Sequence, residues 1–98
     1  MNIRYRLKAR LELTEAVAFY EERRAGLGAE FDQAVAKLLQ QAGETPGRFQ
    51  RITPLVRKAR LTRFPYFIYF TETQDGIQAI AVIYARRNPE WIQQRLAD

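Results

Sequence analysis

Histidine, cysteine and serine are all missing from the chain. Without cysteine there are no disulfides, and without Cys or His there is no thiolate or imidazole site for zinc. The Ser-His-Asp triad and the Cys–His nucleophile pair are excluded on the same ground. A metal site would need carboxylates alone, and the acidic residues show no such cluster along the sequence. Chemistry is left to Arg, Lys, Tyr, Thr, Glu and Asp. No apolar run approaches the roughly 20 residues of a membrane span. Met1-Asn2-Ile3-Arg4-Tyr5-Arg6 alternates polar and apolar residues and lacks a secretory apolar region, so the cytoplasm is the expected compartment.

What is present is ordinary in amount and uneven in arrangement. The 98 residues suffice for one domain spanning 1–98, and 47% apolar with 28% charged residues fits a globular chain. The net charge of +5 is not spread evenly. Residues 1–8 carry +3, residues 9–45 carry −3, residues 46–71 carry +6 with no acid, and residues 72–98 carry −1. A basic middle segment attracts polyanions or an acidic protein, although a merely solvated basic surface gives the same sum.

Periodicity supplies the elements. Ile3, Tyr5 and Leu7 alternate with Arg4, Arg6 and Lys8, as in a strand with one buried and one basic face. Over 9–24, Leu13, Ala16, Val17 and Tyr20 recur at helical spacing, with Glu12, Glu15 and Glu22 turned to water. Ala25-Gly26-Leu27-Gly28 breaks that helix, and a second runs over 29–42, with Glu30 and Asp32 in its first turn. Residues 43–54 read as loop. Strands follow over 56–63, 66–73 and 77–85. The last is apolar on both faces, as a central strand covered twice would be. Asp75-Gly76 marks a hairpin between the final two. Pro89 opens a short C-terminal helix. The expected class is α+β, in the order β-α-α-β-β-β, with a helical hairpin packed on a small antiparallel sheet.

Four local motifs in this order resemble the RelE/ParE toxin superfamily. They are Ala9-Arg10-Leu11-Glu12-Leu13 with Phe19-Tyr20-Glu21, then Gly26-Leu27-Gly28-Ala29-Glu30-Phe31. Arg57 with Arg63-Phe64-Pro65-Tyr66 and Tyr69 is the third, and Val82-Ile83-Tyr84-Ala85-Arg86-Arg87-Asn88-Pro89-Glu90-Trp91 closed by Arg95 is the fourth. The resemblance is nearer the ParE branch. It implies the toxin of a bacterial type II toxin–antitoxin system, of the kind tied to plasmid stabilisation. A cognate acidic antitoxin is the implied partner, with no cofactor and no membrane. ParE-type toxins inhibit DNA gyrase by protein–protein contact, whereas RelE-type toxins cut mRNA on the ribosome. Two departures favour the first: the family's frequent histidine in the last strand is Tyr84 here, and the position of a RelE-type catalytic arginine is Phe67.

The candidate binding residues are Arg57, Arg60, Arg63, Tyr66, Tyr69, Arg86, Arg87 and Trp91. Arginine forks suit bidentate contacts to anions, and tyrosine offers a polar tip on an apolar ring. A metal-independent ribonuclease would have to draw its acid, base and charge stabiliser from Lys58, Arg60, Tyr66, Tyr84 and Arg86. A binding protein is the expectation, ribonuclease the alternative, and a non-toxic nucleic-acid-binding module a third reading. If strand pairing runs through Arg87, parity sets Arg86 on the face of Tyr84 and Val82, with Arg87 opposite. Ile3, Tyr5, Leu7 and the helical hairpin are the candidate antitoxin surfaces.

Overall fold

The computed structural model describes residues 1–97. Strand β1 is Asn2–Tyr5 and leads into helices α1, Leu7–Arg23, and α2, Leu27–Glu44. A 3-10 turn at Pro46–Arg48 precedes strands β2, Gln50–Arg51, and β3, Arg57–Arg60. Strands β4, Tyr66–Thr73, and β5, Gly76–Tyr84, form the hairpin, and helix α3, Pro89–Ala97, follows. The class and element order are those expected. The sheet runs β1-β5-β4-β3-β2. Its last four strands are antiparallel, and β1 joins β5 in parallel.

Several boundaries differ from the periodicity reading. Leu7 is the first residue of α1, not part of β1, and is 73% exposed. The strand needs no further length, because Arg6 N–H already donates to the Ala79 carbonyl and Arg6 C=O accepts from Arg10 N–H to open the helix. The two-residue β2 lies inside the stretch read as loop. Strand β3 is four residues long, half the run of alternation. Strand β4, not β5, is the middle of the five.

Helical spacing becomes packing on one face of the sheet. Leu13, Ala16, Phe31, Val35 and Leu39 from the hairpin meet Ile68, Phe70, Ile77, Ala79 and Val82. The opposite face buries Tyr69, Ile80, Ala81 and Ile83 beneath Ile92 and Leu96 of α3. This double cover explains the unbroken apolar character of β5. Neighbours Ile80 and Ala81 share a face because β5 carries one extra residue there. Tyr69 pairs with Ala81 and Phe70 with Ala79, leaving Ile80 as a bulge.

The turn between the helices is set by Glu21. Its carboxylate accepts the N–H groups of Gly26 and Gly28 at 3.0–3.1 Å, serving donors that the start of α2 leaves unpaired. Gly26 has φ of +90°, which favours glycine. At Gly28 a side-chain carbon would sit 2.7 Å from the Val17 carbonyl oxygen, so only glycine lets α2 cross α1 this closely. The Tyr-Glu and Gly-Leu-Gly segments are thus two halves of one joint.

A second joint closes the sheet. Beyond the Arg6–Ala79 bond, no strand among the described residues flanks β5 on the β1 side. Glu12 of α1 accepts Val82 N–H at 3.0 Å. Arg95 of α3 donates to the Ile80 carbonyl at 2.9 Å and grips Glu12 through Nε at 2.8 Å and Nη2 at 2.9 Å. Arg95 is buried, and its side chain is 6% exposed against 18% for Glu12. Glu12 therefore does not face water as its position among the helix acids implied.

Losing one member of a buried ion pair leaves the other charged and unpartnered, at about 3–5 kcal/mol. Arg95→Ala is expected to remove most of the stability of a domain this size, lowering Tm by more than about 10 °C. Arg95→Lys keeps the charge, loses the fork and falls between. Circular-dichroism melts decide it: an Arg95→Ala protein melting within about 3 °C of the parent shows that the pair carries no weight.

Candidate functional site

The adjoining ends of β4 and β5 gather aromatic side chains. Tyr66 N–H donates to the Phe64 carbonyl at 2.8 Å, tightening the Arg-Phe-Pro-Tyr corner. Pro65 has no N–H, but its carbonyl accepts Ala85 N–H at 2.7 Å and ties the corner to the end of β5. Register sets Tyr66 beside Tyr84, with ring centroids 5.7 Å apart on the helical-hairpin face. Tyr20 of α1 completes the group, 6.1 Å from Tyr66 and 4.9 Å from Phe64.

Burial, first of all, pushes the Tyr66 phenol above its ordinary value, and the nearby Tyr20 and Tyr84 add to it. Arg87 acts in the opposite sense, and Glu15 raises it further. Tyr20 is raised by burial and by Tyr84.

Strand pairing stops at Tyr84, and Arg86 and Arg87 lie in the turn that follows. The parity expected for them has no ladder to act through. Arg87 lines a cleft of about 160 Å³ with Glu12, Glu15, Tyr66, Tyr84 and Trp91. Its guanidinium stacks 4.0 Å from the Trp91 ring. Arg86 is exposed in the turn. A neighbouring cleft of about 460 Å³ between α1 and α3 shares Glu12, Glu15 and Trp91.

The remaining candidates lie elsewhere. Arg57 is held on the hairpin face by Glu72 at 3.2 Å and by the Phe49 carbonyl at 2.9 Å. Arg63 pairs with Glu30 of α2 at 2.6 Å, and this hydrogen bond is the main reason the Glu30 carboxyl is held below its ordinary value. Lys58, Arg60 and Tyr69 occupy the opposite face of the sheet, where Lys58 Nζ lies 4.4 Å and the Arg60 guanidinium 5.3 Å from the Phe67 ring. Lys58 and Arg60 are therefore separated by the sheet from Tyr66 and Tyr84, and the five candidate nuclease residues are not brought together.

The candidate residues read from the sequence did not include Glu12 and Glu15 of the cleft, nor Tyr20, whose ring lies against Tyr66. A signal existed for Glu12. It stands three residues after Ala9 and four before Ala16, both buried, so it lies on the inward face where small neighbours leave room for a carboxylate. Glu15 and Tyr20 had no such mark.

No family model and no curated protein matches the sequence. Among solved structures, a chain of the structure described as "Chromosomal ParDE TA system from P. aeruginosa" superposes with a TM-score of 0.62. The match covers 88% of this chain and 97% of that one, at 18% identity. This chain has that fold. Among its described residues no helix is long and apolar enough to cross a membrane.

The raised phenols give a testable pH dependence. Tyr5, Tyr20, Tyr66 and Tyr69 all ionise above the ordinary 10.0 in the folded chain, each chiefly through burial. Once the pH passes that value the unfolded chain releases these protons first, so stability is intact below about pH 10 and declines above it. Urea midpoints should be flat from neutral pH to about pH 9 and fall beyond 10. Phenolate absorbance should rise with the loss of structure; complete ionisation with the fold intact contradicts this.

Proposed function

We propose that this chain is the toxin of a type II toxin–antitoxin pair, and that it acts by protein–protein contact on DNA gyrase. The observation that carries the reading is the fold shared with the ParDE chain over 97% of that chain's length. The four ordered sequence motifs support it independently, since three of them form the joints at Glu21 and at Glu12–Arg95. Contact rather than cleavage is favoured by the lack of histidine and by the sheet lying between Lys58 and the two tyrosines. Arginine remains charged and makes a poor proton acceptor, so Arg86 or Arg87 cannot replace the missing base.

In this reading the contact surface is the end of β4 and β5. Tyr66, Tyr84, Arg87 and Trp91 offer aromatic area and a guanidinium on a rigid frame, the residue types that dominate interface energetics. Arg86 flanks them. Arg57 and Arg63, already held by Glu72 and Glu30, contribute less. The partner that silences the toxin is an acidic, partly disordered antitoxin.

Purified protein added to a gyrase supercoiling assay should inhibit it, while ribosome-bound mRNA stays intact. Unaffected supercoiling together with cut mRNA transfers the assignment to the RelE type. Unaffected supercoiling with tight, salt-sensitive binding to nucleic acid transfers it to a binding module.

Within the contact surface, Arg87→Ala should abolish growth arrest on induction in a bacterial host. The exposed Arg87–Trp91 stack is worth only about 0.5–1 kcal/mol, so the variant remains folded. Arg87→Lys should retain part of the effect. A folded Arg87→Ala protein that still arrests growth removes Arg87 from the site.

A further inference from the structure

The described cations keep two kinds of company, carboxylates and aromatic rings. Arg4, Arg24, Arg57, Arg63 and Arg95 each reach a carboxylate. Aromatic rings lie under Arg10, Arg23 and Arg63 on the hairpin side, the last also held by Glu30, and under Lys58 and Arg60 at Phe67 and Arg87 at Trp91. Lys58 and Arg87 line one groove of about 520 Å³ on the sheet face opposite the helical hairpin, and Arg60 stands beside it on Phe67. Its floor and far wall are apolar, with Ile52 on one side, Phe67 and Tyr69 of β4 below, and Ile92 and Leu96 of α3 opposite. Among the described residues no acid lines it.

An aromatic ring under a cation is worth about 0.5–1 kcal/mol at an exposed site and leaves the ammonium or guanidinium able to bond an anion from above. A nucleic-acid groove would join cations to stacking platforms, whereas here most of the lining is aliphatic or shielded by the cations themselves. Apolar residues between basic rims match a segment whose own apolar stripe is flanked by acids.

We infer that this groove docks an acidic amphipathic segment of a partner protein, with apolar side chains seated between Ile52, Tyr69, Ile92 and Leu96 and carboxylates paired to Lys58, Arg60 and Arg87. The inference rests on the toxin–antitoxin reading for the identity of the chain that carries the segment, not for the chemistry of the groove. It assigns the docking to the face away from α1 and α2. Ile3 and Tyr5 are half-buried against the hairpin core and offer an incoming segment little area.

The probe is a fluorescein-labelled amphipathic peptide of roughly four helical turns, with Leu and Ile along one stripe and Glu elsewhere. Its comparisons are a scrambled peptide of the same composition, the version with Lys in place of Glu, and oligouridylate. By anisotropy the acidic amphipathic peptide should bind the full chain at least about tenfold more tightly than each comparison. Amide shifts should concentrate at Ile52, Phe67, Tyr69, Ile92 and Leu96. Lys58→Glu combined with Arg60→Glu should weaken binding by about tenfold or more. Should that pair of changes perturb the melt, Lys58→Gln with Arg60→Gln should give a smaller loss in the same direction.

Equal affinity for the scrambled peptide, shifts centred on α1 and α2, or tighter binding of oligouridylate each overturns the inference. Growth arrest without groove binding sinks the groove alone, and groove binding without growth arrest sinks the toxin reading alone.

Discussion

The structure depends on how β5 is satisfied along the half of its edge that β1 does not reach. Strand β1 spans four residues, and β5 runs on for five more beyond Ala79. A buried backbone N–H or C=O without a partner costs on the order of 1–3 kcal/mol. Here Glu12 and Arg95 act as a side-chain substitute for the missing strand, one accepting from Val82 and the other donating to Ile80. Because they also hold each other, α1 and α3 are fixed relative to the same strand. The bulge at Ile80 belongs to this arrangement: the extra residue sends Ile80 and Ala81 to one face and turns Val82 toward the hairpin.

Most of the architecture was legible in residue order, since the helices and the final hairpin are local objects with local signatures. The stripe through Leu13 and Ala16, the glycines at 26 and 28, and Asp75-Gly76 each report on neighbours a few residues away. What escaped was long-range. Parallel pairing of β1 with β5 joins residues more than 70 apart, and no period reveals it. The short β2 exists only because β3 offers it an edge. The spacing of Glu12 from Ala9 and Ala16 marks its inward face but not what it meets, because its partner lies 83 residues on.

The candidate site was legible as a list of residue types and not as a place. Reading Arg57 to Trp91 along the chain mixes three environments that the sheet keeps apart. Tyr66 and Phe67 are adjacent in sequence and face opposite ways, so they belong to different surfaces. Parity failed at Arg86 and Arg87 for a related reason: alternation holds only while the ladder lasts, and Ala85 leaves the strand to bond the Pro65 carbonyl. The same sheet therefore presents two chemically distinct faces, one rich in tyrosine and one in unneutralised cations.

The pairing of β1 with β5 and of Glu12 with Arg95 has a consequence for how the chain is made. During synthesis α1 and α2 emerge ahead of β2 to β5, with apolar stripes in need of a sheet. The β5 strand that they pack on is made only after both helices, and the residue that seals its edge is Arg95. Until then Val82 and Ile80 present open backbone groups, and the partial chain shows the exposed edge that invites pairing with another chain. Productive folding consequently waits until α3 has been made. A ribosome that stalls before α3 releases a fragment lacking the seal on β5, the form of this molecule most exposed to proteolysis and aggregation.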